Sequence, residues 1–375
     1  MKVKVTSRQE SESTNEWLED YRTKIEEEPL MNLVHSILGD MGAAASGALV
    51  LLGDRLGIYR SLAKSGRHTS VGLAVETGLD ERYLREWLAN QAASKYIEYD
   101  PGTEEFFMKP EQVAIFADPE SPVAMTGGYY ALASTYHDEP KVAEAFQSGE
   151  GIPWGDHHDC LFCGTEKFFR PGYAANLVDS WIPALDGVKE KLSEGNAHVA
   201  DVGCGYGAST LILAKAFPKT EFVGFDLHEA SLAHARRHAA DQGLNNVRFE
   251  KATAKDFPGN GKYDLVTVFD ALHDMGDPAG ACHHIFESLT PGGSLMLVEP
   301  MAGDKLEDNL NPVGRLYYAF STMVCTPGSR SQEVGTALGA QAGEAKLRGV
   351  VQQGGFPDLQ RVAETPFNLI LEAKR

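Results

Sequence analysis

From residue 198 to the C-terminus, apolar runs of strand length alternate with amphipathic runs of helix length, and this alternation constrains the fold more than any other feature. Five runs (198–202, 221–226, 246–250, 263–269 and 293–299) read as buried strands, and the stretches near 208–217, 229–242 and 277–289 carry the period of a helix. Strands alternating with helices predict a doubly wound parallel sheet. A helix at 343–353 then precedes strands at 358–364 and 367–373, which are separated only by Thr365 and Pro366. So short a link permits an antiparallel hairpin and no crossover. The expected fold class is therefore α/β, a seven-stranded Rossmann-like sheet with an antiparallel last strand.

The chain has 375 residues, more than the roughly 100–200 of one domain, so a second unit is expected ahead of the sheet. Residues 1–28 are polar and acidic and read as a flexible arm. Apolar residues recur at helical spacing over 33–62, where the small residues of 42–48 would let another helix approach closely. Two short helices at 69–79 and 80–93, then strands on either side of Asp100-Pro101-Gly102, form a winged helix-turn-helix pattern. We therefore expect a winged-helix dimerisation domain at 29–120, a helical connector or lid at 121–195, and the ligand-binding domain at 196–375.

Charge limits the partners. The net charge is −19, and residues 1–150 hold 14 Lys/Arg against 25 Asp/Glu. A groove-binding helix needs a basic footprint, so no nucleic acid is expected. Five cysteines are too sparse for a disulfide framework and point to a reducing, cytoplasmic setting. The longest apolar run, 41–53, is closed by Asp40 and Asp54, so no membrane span is expected.

In an open α/β sheet, ligands bind beyond the carboxyl ends of the strands. The first strand-to-helix loop there is D-V-G-C-G-Y-G, residues 201–207. Gly203, Gly205 and Gly207 permit positive φ and close backbone approach to a ligand. Asp226 ends the next strand, placed to accept from ribose hydroxyls, with Leu227 beside it to pack on an adenine. By spacing alone, Gly203-x-Gly205-x-x-Ala208 also fits a nicotinamide dinucleotide. Three features argue against the dinucleotide: Asp201 can reach an ammonium group, Pro291-Gly292-Gly293 leads into a strand ending Val298-Glu299-Pro300, and the hairpin closes the sheet.

Together these features resemble the class I S-adenosylmethionine-dependent methyltransferases over roughly 165–375. With the winged-helix region, the whole chain is similar to small-molecule methyltransferases whose N-terminal domain dimerises and covers the substrate pocket. The resemblance implies S-adenosyl-L-methionine as cofactor, a small-molecule acceptor and a homodimer. It places Gly203, Gly205 and Gly207 along the methionine part, Asp226 on the ribose, and Thr253 and Ala254 at the adenine edge. The family often has an acid where Thr253 stands, which makes Asp256 a substitute; Asp270, ending the fourth strand, completes the set.

By the same likeness His273 is the general base, its unperturbed pKa of about 6.5 suiting the task. Glu299, ending the adjacent strand, is the expected orienting partner, and Asp274 is not, since neighbours on a helix point apart. Tyr173 and Tyr136 are expected in the pocket wall. His157, His158, Cys160 and Cys163 lack a second ligand pair, so no metal is expected and the segment reads as a lid loop. The favoured reaction is O-methylation. S-methylation of a thiol or thioether, a winged-helix ligand sensor without turnover, and a dehydrogenase are the alternatives.

Overall fold

The computed structural model describes residues 18–375. Most of the expected arm lies outside the described residues; of the remainder, 18–22 are helical.

The N-terminal unit starts with a 29-residue helix, α1 (Glu27–Arg55). Gly57, at φ +69°, breaks it from α2 (Ile58–Ser65). Then follow α3 (Ser70–Thr77), α4 (Glu81–Ala93), the hairpin β1 (Glu98–Asp100) and β2 (Glu105–Phe107), and α5 (Pro110–Phe116). Asp80 starts α4 by accepting from Arg82 N at 3.0 Å and Tyr83 N at 3.3 Å, which satisfies two orphan amides of the first turn. Leu62, Leu73, Leu88 and Val50 form this unit's core.

The glycines of α1 divide in two. Gly53 is so close to the Tyr59 and Trp87 rings that a Cβ would lie 2.5–2.6 Å from them, whereas among the described residues Gly39 and Gly42 face nothing within 4 Å. Leu33, Ile37, Leu38 and Met41 are exposed on this open half. α1 is also long and apolar enough to cross a membrane by length and composition, with a window of mean hydropathy 1.5, a feature that counting only the run 41–53 missed. Its two interior carboxylates bind the rest of the chain: Asp40 pairs with Arg315 at 2.8 Å, and Asp54 accepts from Tyr130 at 2.8 Å and Lys167 at 3.2 Å.

Two long helices follow, α6 (Thr126–Ser148) and α7 (Cys160–Asn176), packed on each other. Cys160 and Cys163 lie on the first turn of α7 instead of in a loop, and His157 is taken by Asp138 (Nδ1 to Oδ2, 3.0 Å) while His158 stacks on His137. The expected lid loop is thus mostly a covering helix.

After α8 (Val188–Glu194) comes the sheet. Its elements are β3 (His198–Val202), α9 (Ala208–Ala216), β4 (Glu221–Asp226), α10 (Glu229–Asp241), β5 (Val247–Lys251), β6 (Tyr263–Phe269), α11 (Pro278–Ser288) and β7 (Leu289–Pro300). After an insertion that includes α12 (Pro312–Phe320), α13 (Glu344–Gln353), β8 (Gln360–Glu364) and β9 (Asn368–Lys374) end the chain. The order is β5-β4-β3-β6-β7-β9-β8. β9 alone runs antiparallel to its neighbours, inserted between β7 and β8, so β8 forms the edge. Alternate residues bury on opposite faces: Ala200, Val223 and Val266 pack with Ile285 and Val351, while Val199, Phe222 and Leu265 pack with Leu213 and Trp181. With both faces covered, the carboxyl ends of the strands remain for a ligand.

Candidate active site

Beyond those carboxyl ends, under α7, lies a cavity of about 460 Å³, within the size range of small-molecule sites. Its floor is the loop after β3. Gly203, Gly205 and Gly207 all adopt the left-handed region, at φ +77°, +52° and +79°, where a side chain would be strained. The three glycines do different things. Gly203 N and Cys204 N donate to Phe225 O at 2.8 and 3.0 Å, tying the loop to β4. A Cβ on Gly205 would meet nothing within 4 Å, because it faces the cavity. Gly207 is not on the cavity wall; it precedes α9, where a Cβ would strike Phe249 at 2.7 Å.

Asp226 anchors the loop. Its Oδ2 accepts from Gly205 N and its Oδ1 from His228 N, both at 2.8 Å. Burial raises its pKa while these two N–H groups pull it back. Each oxygen keeps a lone pair for a ligand hydroxyl. Leu227, Thr253 and Ala254 form the adjoining wall. Asp256 does not reach the cavity, because its Oδ1 accepts from Thr253 N at 2.6 Å and Thr253 Oγ1 at 2.7 Å, shaping the turn.

Asp201 also departs from expectation. Only 1% exposed, it accepts from Ser209 Oγ (2.7 Å), Thr210 Oγ1 (2.6 Å) and Thr267 Oγ1 (3.0 Å). It braces α9 and β6 from below and offers no group to a ligand's ammonium. Sequence spacing placed it correctly in the strand but could not reveal the three hydroxyls that surround it.

At the end of β6, Asp270 faces the cavity with φ +47°. Tyr173 donates to its Oδ2 at 2.7 Å and Asn368 Nδ2 to its Oδ1 at 2.8 Å. Burial, moderated by the Tyr173 hydrogen bond, pushes Asp270 up to about 7. Tyr136, by contrast, is 71% exposed on α6 and takes no part in the wall. Helical spacing could not tell which face of α6 turns outward.

His273 and Glu299 do meet. The Nδ1–Oε2 distance is 2.6 Å, and Leu272 N donates to the other Glu299 oxygen at 3.0 Å. The imidazole is 3% exposed and stands just behind the wall, which its neighbours Asp274 and Met275 line. Asp274 Oδ1 lies 3.3 Å from His273 Nε2. The expected divergence of the two fails because Leu272–Asp274 is a single 3₁₀ turn, not an α-helix. Burial alone would depress His273, but Glu299 and Asp274 reverse that and hold it well above the usual histidine range. Cys325, from a π-helical turn in the insertion, lies against the same group, its thiol pushed up to about 12 by burial. Motif reading missed Asp274 and Cys325, along with Phe162 and Glu166 on α7, because segments outside the sheet supply three of them.

Residues 193–353 match the family model described as a methyltransferase domain, and residues 44–117 match an Rv2258c-like winged HTH domain. The chain thus carries a methyltransferase domain behind a winged helix-turn-helix domain. Trans-aconitate 2-methyltransferase of Deinococcus radiodurans is 34% identical over 30% of this chain and 42% of its own length. Ubiquinone biosynthesis O-methyltransferase of Leptothrix cholodnii is 30% identical over 35% of this chain and 54% of its own. The chain therefore spans about half the length of these relatives. Human N-acetylserotonin methyltransferase, in complex with SAM, superposes with a TM-score of 0.64 over 91% of this chain and 97% of that one, at 18% identity. An O-methyltransferase family protein of Burkholderia thailandensis gives 0.63 over 91% and 98%, at 16%. At such identity the likeness is one of fold.

Proposed function

We propose that this protein is an S-adenosyl-L-methionine-dependent methyltransferase that methylates a small molecule, with a hydroxyl oxygen as acceptor. The observation that carries the reading is the Gly205–Asp226 pair, an open glycine and a carboxylate joined at the floor of a cavity in a methyltransferase domain.

The cavity fits that cofactor. A Cβ would project into open space at Gly205, Asp226 retains acceptor capacity for a ribose, and Thr253 and Ala254 line the cavity where the adenine edge would lie. When bound, the cofactor supplies an activated methyl group on a sulfonium. The protein's own task is then mostly alignment, with reacting atoms held about 3–3.5 Å apart. Phe162, Phe169 and Tyr173, on the underside of α7, exclude water from above. Asp274 faces the cavity, takes the hydroxyl proton and passes it to a neutral His273 behind it, which Glu299 fixes.

The open apolar half of α1 supports a homodimer through the N-terminal unit, since so contiguous an exposed patch is characteristic of an interface. A DNA-reading sensor is poorly supported, as Arg82 and Arg85 of α4 are paired with Glu86 and Glu81.

One observation favours a second reading. An imidazole held above its usual range by two carboxylates is biased toward its charged form, which has no vacancy for a proton. A thioether acceptor, with no proton to lose, makes no demand on it. The test is mass spectrometry of metabolite mixtures incubated with purified protein and methyl-labelled cofactor. Label on an oxygen supports the first reading and label on a sulfonium the second, whereas no methylated product argues against both.

A further inference from the structure

We infer that Glu166, on the cavity side of α7, is the seat for the primary ammonium at the amino-acid end of the cofactor. The inference rests on the cofactor reading above and assigns a binding group that the glycine-loop motif does not contain.

With Asp201 consumed by three hydroxyls, the site needs another counter-charge. Among the described residues six carboxylates line the cavity: Glu166, Asp226, Asp270, Asp274, Asp277 and Glu333. Asp226 holds two backbone amides, and Asp270 holds Tyr173 and Asn368. Asp274 faces His273, while Asp277 and Glu333 share Lys255 at 3.1 and 3.0 Å. Glu166 differs from all of these. Among the described residues no hydrogen bond reaches it, although its side chain is only 17% exposed. Its one ion pair, Arg170 Nε at 3.3 Å from Oε1, comes from a guanidinium that also serves Glu120 and the Pro119 carbonyl.

A carboxylate so far removed from water requires a cation and hydrogen-bond donors. Its burial raises its pKa in spite of Arg170, the state expected of a receptor without its ligand. Glu166 is close enough to Tyr206 of the glycine loop to act on its phenol electrostatically, and both line the cavity, whereas Thr253 and Ala254 follow Ala252, whose N–H donates to Asp226 O at 3.2 Å. An ammonium carried next to the glycine loop would therefore meet Glu166. It supplies three N–H donors and a positive charge beyond that of Arg170, which Glu166 shares with Glu120.

The test compares two probes by calorimetry: S-adenosyl-L-homocysteine, which carries the ammonium, and 5′-methylthioadenosine, which has the same adenosine and thioether without the amino-acid end. Glu166→Gln keeps the shape and removes the charge, and a thermal melt establishes that it folds. We expect the variant to bind S-adenosyl-L-homocysteine at least about tenfold more weakly and 5′-methylthioadenosine as the wild type does. An equal loss for both probes, or for neither, overturns the assignment of Glu166 alone. Unchanged binding of both with a raised KM for an amine-bearing acceptor also overturns it and gives the carboxylate to the acceptor. Wild-type protein that binds neither probe overturns the cofactor reading beneath it.

Discussion

Tyr173 Oη stands 2.7 Å from Asp270 Oδ2, joining the covering helix α7 to the end of β6. The bond matters because Asp270 is buried in a left-handed backbone conformation and, among the described residues, has only Asn368 as its other side-chain hydrogen-bond partner. Tyr173→Phe leaves one carboxylate oxygen without its donor. We expect it to cost about 1–3 kcal/mol in urea unfolding and to weaken cofactor binding by loosening α7. An unchanged unfolding midpoint would show that the bond does not hold the cover in place.

The glycines of the loop predict opposite outcomes for similar changes. Gly205→Val is strained at φ +52° but strikes no neighbouring atom, so it lowers stability without unfolding the chain, and cofactor binding is lost. Gly207→Ala drives a Cβ into Phe249 and Ala235 at positive φ, and should cost on the order of 3 kcal/mol. Paired thermal melts and binding titrations separate the two, and a Gly205→Val protein that keeps its affinity would contradict the site.

His273 gives a pH dependence of definite sign. Its folded pKa lies above the unfolded value of about 6.5. The pairing with Glu299 and Asp274 therefore stabilises in full below about pH 6.5 and is lost as pH rises through the folded value. The stability gap between wild type and Glu299→Gln should narrow in alkaline buffer. Methylation of a hydroxyl should speed up over the same range, while methylation of a thioether should stay flat. A hydroxyl-methylation rate that falls over that range would remove His273 as base.

The exposed side of α1 predicts self-association. Sedimentation at micromolar concentration should give a dimer, and Leu33→Glu with Met41→Glu should give a folded monomer. A wild-type monomer would leave that apolar face without its proposed use.

The sheet was legible because its strands are apolar runs bounded by Gly, Pro and Asp, and the short Thr365-Pro366 link allowed only a hairpin. Which side chains reach the cavity was less so. Asp201 and Gly207 belong to the motif yet turn inward, since a pattern fixes backbone position and not the partners waiting there. Tyr136 and Tyr173 read alike in sequence, but one faces solvent and the other Asp270. Glu166 had no signal at all, because a lone acid on a helix becomes informative only when its neighbours leave it without a hydrogen-bond donor.

The central claim is best tested by titrating the purified protein with S-adenosyl-L-homocysteine and, separately, with the nicotinamide dinucleotides. The account predicts one S-adenosyl-L-homocysteine bound per chain, lost in Gly205→Val, and no heat from the dinucleotides. Saturable binding of a nicotinamide dinucleotide, with none of S-adenosyl-L-homocysteine, would contradict it.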